Sequence, residues 1–236
     1  MHVFFCEIIN EGVVELNNEE SLHATKVLRL KTGDDITLIN GKGCIALATI
    51  DQVHDKHTTV NVHSINLHEP LKHRLHLAVA PNKTADRFEW MLEKITELGV
   101  SMLTPIISNR TIRHKIKQER IHKIILSAAK QSMNPWLPII NPAIDFEEFI
   151  GSCKSDDFKL IAHCIKDKKH RLIDILQSHR TSDTIVLIGP EGDFTNQEVV
   201  EALKNNFLPI DLGNNRLRSE TASIFVASSF KLLSGY

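Results

Sequence analysis

Two short segments concentrate the residue types that could do chemistry. The first is Ile188-Gly189-Pro190-Glu191-Gly192-Asp193-Phe194, followed by Thr195-Asn196-Gln197-Glu198. Gly189 and Gly192 let backbone approach a ligand closely, and Pro190 stiffens the turn between them. It is not a phosphate loop, because no Gly-Lys-Ser/Thr follows, and it lacks the Gly-x-Gly-x-x-Gly of dinucleotide folds. A carboxylate in its middle, Glu191, would repel phosphate but suits a cationic ligand or a base edge that offers N–H donors. The second segment is Leu212-Gly213-Asn214-Asn215-Arg216-Leu217-Arg218-Ser219-Glu220-Thr221-Ala222. There two Arg, two Asn and a Glu crowd the start of a largely apolar stretch, Ala222–Leu233. A helix that apolar must be buried, in the core or against a partner subunit.

The chain that must position these loops has 236 residues, with 28 Lys and Arg against 29 Asp and Glu, a net charge of −1. Apolar residues make up 42% and charged residues 24%, a globular balance. The longest apolar runs, such as Ile185-Val186-Leu187-Ile188, fall far short of the roughly 18 residues of a membrane span. No secretory signal is visible at Met1-His2-Val3-Phe4-Phe5, so a soluble, cytoplasmic protein is expected. Cys6, Cys44, Cys153 and Cys164 form no C-x-x-C pair, which argues against a zinc knuckle or a redox dithiol. The 13 histidines include no helical H-x-x-x-H spacing, and no metal is expected.

Pattern divides the chain. Residues 1–72 hold 6 Lys and Arg against 10 Asp and Glu; residues 73–236 hold 22 against 19. Ile36–Ile39 and Cys44–Ile50 flank Asn40-Gly41-Lys42-Gly43, a strong hairpin signal because Asn and Gly tolerate positive φ. Thr58–Ile65 alternates as a further strand, Val3–Ile8 and Val13–Leu16 are expected to pair at the start, and Glu19–Leu30 reads as a helix. A small, mostly antiparallel barrel over residues 1–70 follows.

From Leu75 strands alternate with helices. Strands are expected at Leu75–Ala80, Leu103–Ile107, Lys159–Cys164, Thr184–Ile188 and Pro209–Leu212. The helices between them are placed near Glu119–Met133, Lys169–Ser178, Asn196–Asn206 and Glu220–Leu233. Another helix opens at Asp86-Arg87-Phe88-Glu89, read as a capping box, and carries Phe88, Met91, Leu92, Ile95 and Leu98 on one face up to Gly99. Thr195-Asn196-Gln197-Glu198 is a second capping box. Such alternation means an α/β domain, residues 73–236, with a parallel sheet covered on both faces, and ligands sit beyond the carboxyl ends of such strands.

Together, I-G-P-E-G and the later L-G-x-x-x-L-R-x-E-T-A resemble the SPOUT-class, knotted methyltransferases, and within them the family that methylates N3 of uracil 1498 in 16S rRNA. The resemblance runs the whole chain. His23 with Val27-Leu28-Arg29, Gly33-Asp34 and Asn40-Gly41-Lys42-Gly43 match that family's PUA-like RNA-binding barrel. Lys83, Asp86–Trp90, Lys94 and Thr96–Val100 match its first catalytic-domain helix, and Arg110 and Ala128–Ser132 match later segments. The resemblance implies a trefoil-knotted C-terminal domain, a homodimer and S-adenosylmethionine as cofactor. By position, Leu187, Ile188, Gly189, Pro190, Glu191 and Gly192 would line one side of the cofactor slot. Leu212, Gly213, Asn215, Leu217 and Arg218 would line the other, with His163 at its edge.

For methylation at N3 the proton on nitrogen must leave as nitrogen attacks. Arg218, which stays protonated, would stabilise negative charge on the flanking carbonyls, and Glu191 or Glu220 could accept the proton. The 16S rRNA, in the 30S subunit, is the expected partner, with an unpaired target nucleotide. Arg110, Arg113, Lys115, Lys117, Arg120 and Lys123, set against Glu119 alone, could grip phosphates; His23, Lys26, Arg29, Lys83 and Arg87 are further RNA-binding candidates. Two other readings fit the residues: an RNA-binding module without turnover, and methyl transfer by the same fold to another RNA position.

Overall fold

The computed structural model describes residues 2–113, 117–179 and 182–234. The chain forms two compact units, one made of Met1–Pro70 with Leu126–Leu137, the other of Leu71–Ile125 with Pro138–Tyr236.

The first unit begins with β1 (His2–Phe5) and β2 (Gly12–Glu15), then α1 (Asn18–Leu22), which runs on as one π-helical turn over His23–Val27. β3 (Asp35–Ile39), β4 (Cys44–Gln52) and β5 (Thr59–Leu67) complete it. Period-2 alternation puts Cys44, Ala46, Ala48 and Ile50 of β4 inside, where they pack with Phe4, Leu38, Val60 and Val62. The β3–β4 hairpin forms where Asn-Gly predicts it: Asn40 Oδ1 accepts from the backbone N–H of Lys42 and of Cys44 (2.8 and 3.0 Å), and Gly41 and Gly43 take φ of 70° and 94°. Two expectations are corrected. β1 and β2 do not pair with each other but are the outer strands of the order β1-β3-β4-β5-β2, and β1 runs parallel to β3. Parallel pairing seats Phe4 opposite Leu38, both fully buried, and alternation alone does not choose between partners. The single helix expected over Glu19–Leu30 is α-helical for five residues only; Leu28 N–H then donates to His23 O, a wider turn, and Arg29 has φ 55°.

Residues 126–137, the second half of a later helix (Gln118–Ser132) and the turn after it, also belong to this unit. Gly43 N–H donates to Pro135 O, Leu137 N–H to Gly41 O, and the Trp136 ring lies on the bare face of Gly43. A Cβ on Gly41 would meet Leu137 Cδ1 at 2.6 Å, so both glycines are needed for close approach as well as for turning. Lys130 Nζ reaches Glu20 Oε1 at 2.6 Å, and that carboxylate is only 3% exposed.

The second unit holds β6 (Leu75–Val79), α2 (Ala85–Glu97), β7 (Met102–Ile107), the start of α3 (Gln118–Ser132), β8 (Ile139–Ile140), β9 (Ile144–Asp145) and α4 (Phe146–Ser152). There follow β10 (Phe158–Ala162), β11 (His170–Arg171), α5 (Leu172–Ser178), β12 (Thr184–Ile188), α6 (Asn196–Lys204), β13 (Leu208–Asp211) and α7 (Ser219–Ser234). All paired strands are parallel, in the order β11-β13-β10-β12-β6-β7-β8, with β9 beside β7. The near-continuous apolar burial of Val186-Leu187-Ile188 and Leu77-Ala78-Val79 is what a sheet covered on both faces requires.

Phe88, Met91, Leu92 and Ile95 turn the apolar face of α2 inward, at most 1% exposed. Gly99, φ 80°, ends that helix in a Schellman motif: Val100 N–H bonds Ile95 O and Gly99 N–H bonds Thr96 O. The capping box expected at Asp86–Glu89 does not form. The helix starts at Ala85 with Thr84 as N-cap, no side chain caps it, and Glu89 is drawn instead to Arg120 at 2.8 Å. The Thr195–Glu198 box does form, and the same Glu198 also accepts from Asn109 N–H at 2.8 Å. Helix α4 and the short strands β8 and β9 have no counterpart in the sequence reading, and β11 takes the start of the helix expected near Lys169–Ser178, which begins only at Leu172. No helix among the described residues is long and apolar enough to cross a membrane.

Candidate active site

Because β10, β12 and β13 are parallel neighbours, their carboxyl ends open on one edge of the sheet. A cleft of about 640 Å³ lies there, walled by the loops that follow all three strands. One wall is Ile188, Gly189, Pro190 and Glu191; the opposite one is Leu212, Gly213, Asn215, Leu217 and Arg218. His163 and Cys164, just after β10, close the edge.

The loops are tied together by their own polar groups. Ser219 Oγ donates to Gly189 O at 2.7 Å and so fixes the start of α7 against the glycine loop. Asp193, at φ 65°, has its N–H on Pro190 O, while its carboxylate accepts from Cys164 N–H at 2.8 Å. Arg110 Nη1 donates to Gly192 O at 2.6 Å. Gly189 lies where a Cβ would press on Phe194 at 3.2 Å, and Gly213 has φ 114° with open space beside it. Gly189 thus makes room for the buried Phe194 behind the cleft wall, while Gly213 leaves bare backbone beside open space.

Two carboxylates meet behind the cleft. The buried Asn82 amide donates to Glu220 Oε2 at 2.9 Å and reaches Glu191 Oε1 at 3.5 Å. Lys83 N–H also donates to Glu191 at 2.9 Å, and Arg87 Nε is 3.9 Å from Glu220 Oε1. Glu220 is 5% exposed, whereas Glu191 and Arg218 are open to solvent. His163 is buried with both ring nitrogens lacking a hydrogen-bond partner. Burial, reinforced by the Lys169 ammonium, lowers its pKa, so the imidazole is neutral at physiological pH.

Of the cofactor residues read from sequence, ten line this cleft: His163, Ile188, Gly189, Pro190, Glu191, Leu212, Gly213, Asn215, Leu217 and Arg218. Leu187 points the other way along its strand and is fully buried in the core with Phe194 and Val199. Gly192 lies outside the cleft wall, under Arg110. Asn82, Asp193, Lys169 and Ser219 were missed. Asn82 had a signal, since Pro81-Asn82 follows β6 at the same carboxyl edge where ligands are expected.

The RNA-binding candidates fall on both units. On the first, the His23 ring packs against Phe4, Lys26 pairs with Asp55 at 2.7 Å, and Arg29 is exposed. On the second, Lys83 and Arg110 are exposed, and Arg87 and Arg113 are half-buried. Arg120 is engaged by Glu89, while Lys117 and Lys123 are exposed; Lys115 lies outside the described residues. Among the described residues no three His, Cys, Asp or Glu side chains converge as a metal site.

Residues 69–231 match the family model for an RNA methyltransferase domain, and residues 16–62 match that for an RNA methyltransferase PUA domain. The chain is 32% identical over 226 residues to the ribosomal RNA small subunit methyltransferase E of Rickettsia conorii, covering 94% of this chain and 91% of the relative. Among solved structures, a protein described as a probable rRNA-methyltransferase from Porphyromonas gingivalis superposes with a TM-score of 0.89 at 33% identity, covering 99% and 98% of the two chains. The ribosomal RNA small subunit methyltransferase E of Neisseria gonorrhoeae, solved bound to S-adenosyl methionine, gives 0.88 at 26% identity over 99% and 98%.

Proposed function

Since the chain belongs to the RNA methyltransferase family, with that family's PUA domain at its N-terminal end, we propose that it methylates N3 of uridine 1498 in 16S rRNA of the small ribosomal subunit, a step of ribosome biogenesis in the cytoplasm, and acts as a homodimer. The single observation that carries the reading is the cleft at the carboxyl ends of β10, β12 and β13, lined by Gly189 and Gly213 with a guanidinium, Arg218, at its rim. The site fits S-adenosylmethionine: its volume suits an adenosyl group, its walls alternate apolar side chains with backbone, and the orphaned His163 nitrogens offer a hydrogen bond.

When bound, that cofactor supplies a methyl group on a sulfonium, already a good leaving group. The protein's contribution is therefore mainly position, which is worth up to about 7–11 kcal/mol. Ile188, Gly189, Pro190 and Glu191 would hold the adenosyl group from one wall of the cleft, and Leu212, Gly213, Asn215 and Leu217 from the opposite wall. Leu187 and Gly192 act from behind, one by packing the strand and the other by letting Arg110 brace the loop. Arg218 stabilises charge on the uracil carbonyls as N3 loses its proton to Glu191 or Glu220. The exposed C-terminal helix residues Phe225 and Leu232, 44% and 84% accessible, support a homodimer. The strand order β13-β10-β12-β6, in which β12 inserts between earlier strands, supports the trefoil threading. His23, Lys26, Arg29, Lys83, Arg87, Arg110 and Arg113 contact rRNA.

The test is to add the protein and S-adenosylmethionine to 30S subunits, and to free 16S rRNA, from cells lacking the gene. Nucleoside mass spectrometry should then find 3-methyluridine mapping to position 1498. RNA binding without any methylated nucleoside on either substrate would remove the enzymatic reading.

A further inference from the structure

A second cavity, of about 600 Å³, opens in the same unit on the far side of the Arg216–Arg218 segment. Its walls are Asp86, Arg87 and Trp90 from α2, and Arg218, Glu220 and Thr221 at the start of α7. Arg87, Arg216, Leu217 and Arg218 line both cavities. Any group held in the second space is thus separated from one held in the cleft by that short segment.

The composition of the pocket selects its occupant. Trp90 stands on the polar side of α2, away from the Phe88–Met91–Leu92–Ile95 face, and is 48% exposed, so its indole presents a free apolar plane. Around that plane stand charged side chains of both signs. The core of a protein–protein interface is depleted of charge, so this arrangement suits a planar polar ligand better than another protein surface. Indole faces stack nucleobases of any sequence, and guanidinium N–H groups seek carbonyl oxygens. Glu220 is held in place by Asn82 at 2.9 Å and Arg87 at 3.9 Å, and its carboxylate is an acceptor for a ring N–H. Two carbonyls flanking an N–H is the edge of uracil. Cytosine would turn an amino donor toward a guanidinium donor.

We infer that this cavity is the target-base pocket, receiving a flipped uracil of an unpaired RNA strand stacked on Trp90, with Arg218 at the seam shared with the cofactor cleft. The inference rests on the function proposed above and adds to it a residue that positions the target base by stacking. Trp90 itself takes no part in the bond changes.

The experiment compares wild type, Trp90→Ala and Trp90→Phe on 30S subunits. The alanine variant should lose about 10- to 100-fold in kcat/KM for RNA, and the phenylalanine variant should recover most of it. Affinity for S-adenosylmethionine by calorimetry and oligomeric state by light scattering should stay as in wild type. Wild-type kcat/KM in Trp90→Ala, or activity lost together with cofactor affinity or with the oligomer, would overturn the pocket. A binding readout separates this from the activity itself: a uridine-rich single-stranded oligonucleotide should quench tryptophan fluorescence in wild type, and the quench should vanish in Trp90→Phe. Equal quenching in both would overturn the pocket, whereas a wild-type protein that shows the Trp90 quench but makes no 3-methyluridine would overturn only the proposed reaction.

Discussion

The side-chain amide of Asn82, with no solvent exposure, donates to Glu220 Oε2 at 2.9 Å and lies 3.5 Å from Glu191 Oε1. One residue at the end of β6 therefore holds in register two carboxylates that belong to different loops. Removing the amide leaves a buried carboxylate short of a donor, which costs roughly 1–3 kcal/mol. Asn82→Ala should lower the thermal midpoint and reduce turnover together. Asn82→Asp, which adds a third carboxylate, should be worse than alanine on both counts. Calorimetric unfolding and a steady-state methylation assay check this.

The two carboxylates should separate under isosteric substitution. Glu220 lines the Trp90 cavity, whereas Glu191 lines only the cleft at the ends of β10, β12 and β13, where the cofactor is proposed to sit. Glu220→Gln should therefore depress kcat by about 100-fold or more while leaving cofactor affinity near normal, in line with loss of a proton acceptor. Glu191→Gln should act mainly on cofactor affinity. Equal effects of the two variants on kcat would remove the distinction.

Cofactor binding should weaken in acid through His163. Its imidazole is buried and faces the Lys169 ammonium as well as the Asp193 and Asp167 carboxylates, and burial is the largest cause of its lowered pKa. Above the ordinary histidine value of 6.5 the ring is neutral and can accept from or donate to the cofactor. Because its pKa is lowered, the ring charges only at a pH below that value, and an imidazolium there opposes a positively charged cofactor. The dissociation constant for S-adenosylmethionine should rise in wild type as the pH is taken progressively below 6.5, and that rise should be absent in His163→Ala.

A different histidine governs stability. His76 is packed edge-on against Phe149 and shares Thr104 Oγ1 at 2.7 Å, and burial pushes its pKa down to about 4. Above pH 6.5 the ring is neutral whether folded or unfolded, so its contribution is complete. Below that the unfolded chain binds a proton that the folded one refuses, and stability on the order of 3 kcal/mol is lost as pH falls toward 4. Urea unfolding at pH 7.5 and pH 5 should show this slope, and His76→Gln should flatten it.

The hairpin glycines give a steric prediction. A Cβ at Gly43 would run into the Trp136 ring and sit at φ 94°. Gly43→Ala should cost more than the roughly 1–3 kcal/mol typical of overpacking, because strain adds to the clash. Pairing it with Trp136→Ala should relieve the clash but not the strain, and a double-mutant cycle in urea would measure the difference.

What was legible in the sequence follows from the range of the forces involved. Local chemistry was readable: Asn40-Gly41 specified its hairpin, Thr195 and Glu198 their capping box, and Gly99 the end of α2, each through contacts within a few residues. The cleft was readable because glycine-rich turns at strand ends are a local pattern, and ten of the residues expected to share a slot do line it together. Long-range competition was not readable. Glu89 left its expected cap for Arg120, thirty-one residues away, and β1 chose β3 over β2. Leu187 was assigned to the slot as part of a motif, but strand alternation turns it to the core. Trp90 lay in a matched helix segment and Asn82 just after a strand end, but only the fold brings Trp90 and Asn82 beside the start of α7.

The docking of residues 126–137 onto the β3–β4 hairpin makes the first unit a structure written in two instalments. A ribosome making this chain from its N-terminus delivers all five strands by Leu67, yet Gly41 and Gly43 stay uncovered until Trp136 and Leu137 emerge. By then β6, α2 and β7 have already been released. Vectorial synthesis therefore cannot finish the first unit before the second has begun, and a fragment cut at Pro70 would be an unfinished fold with a bare hairpin.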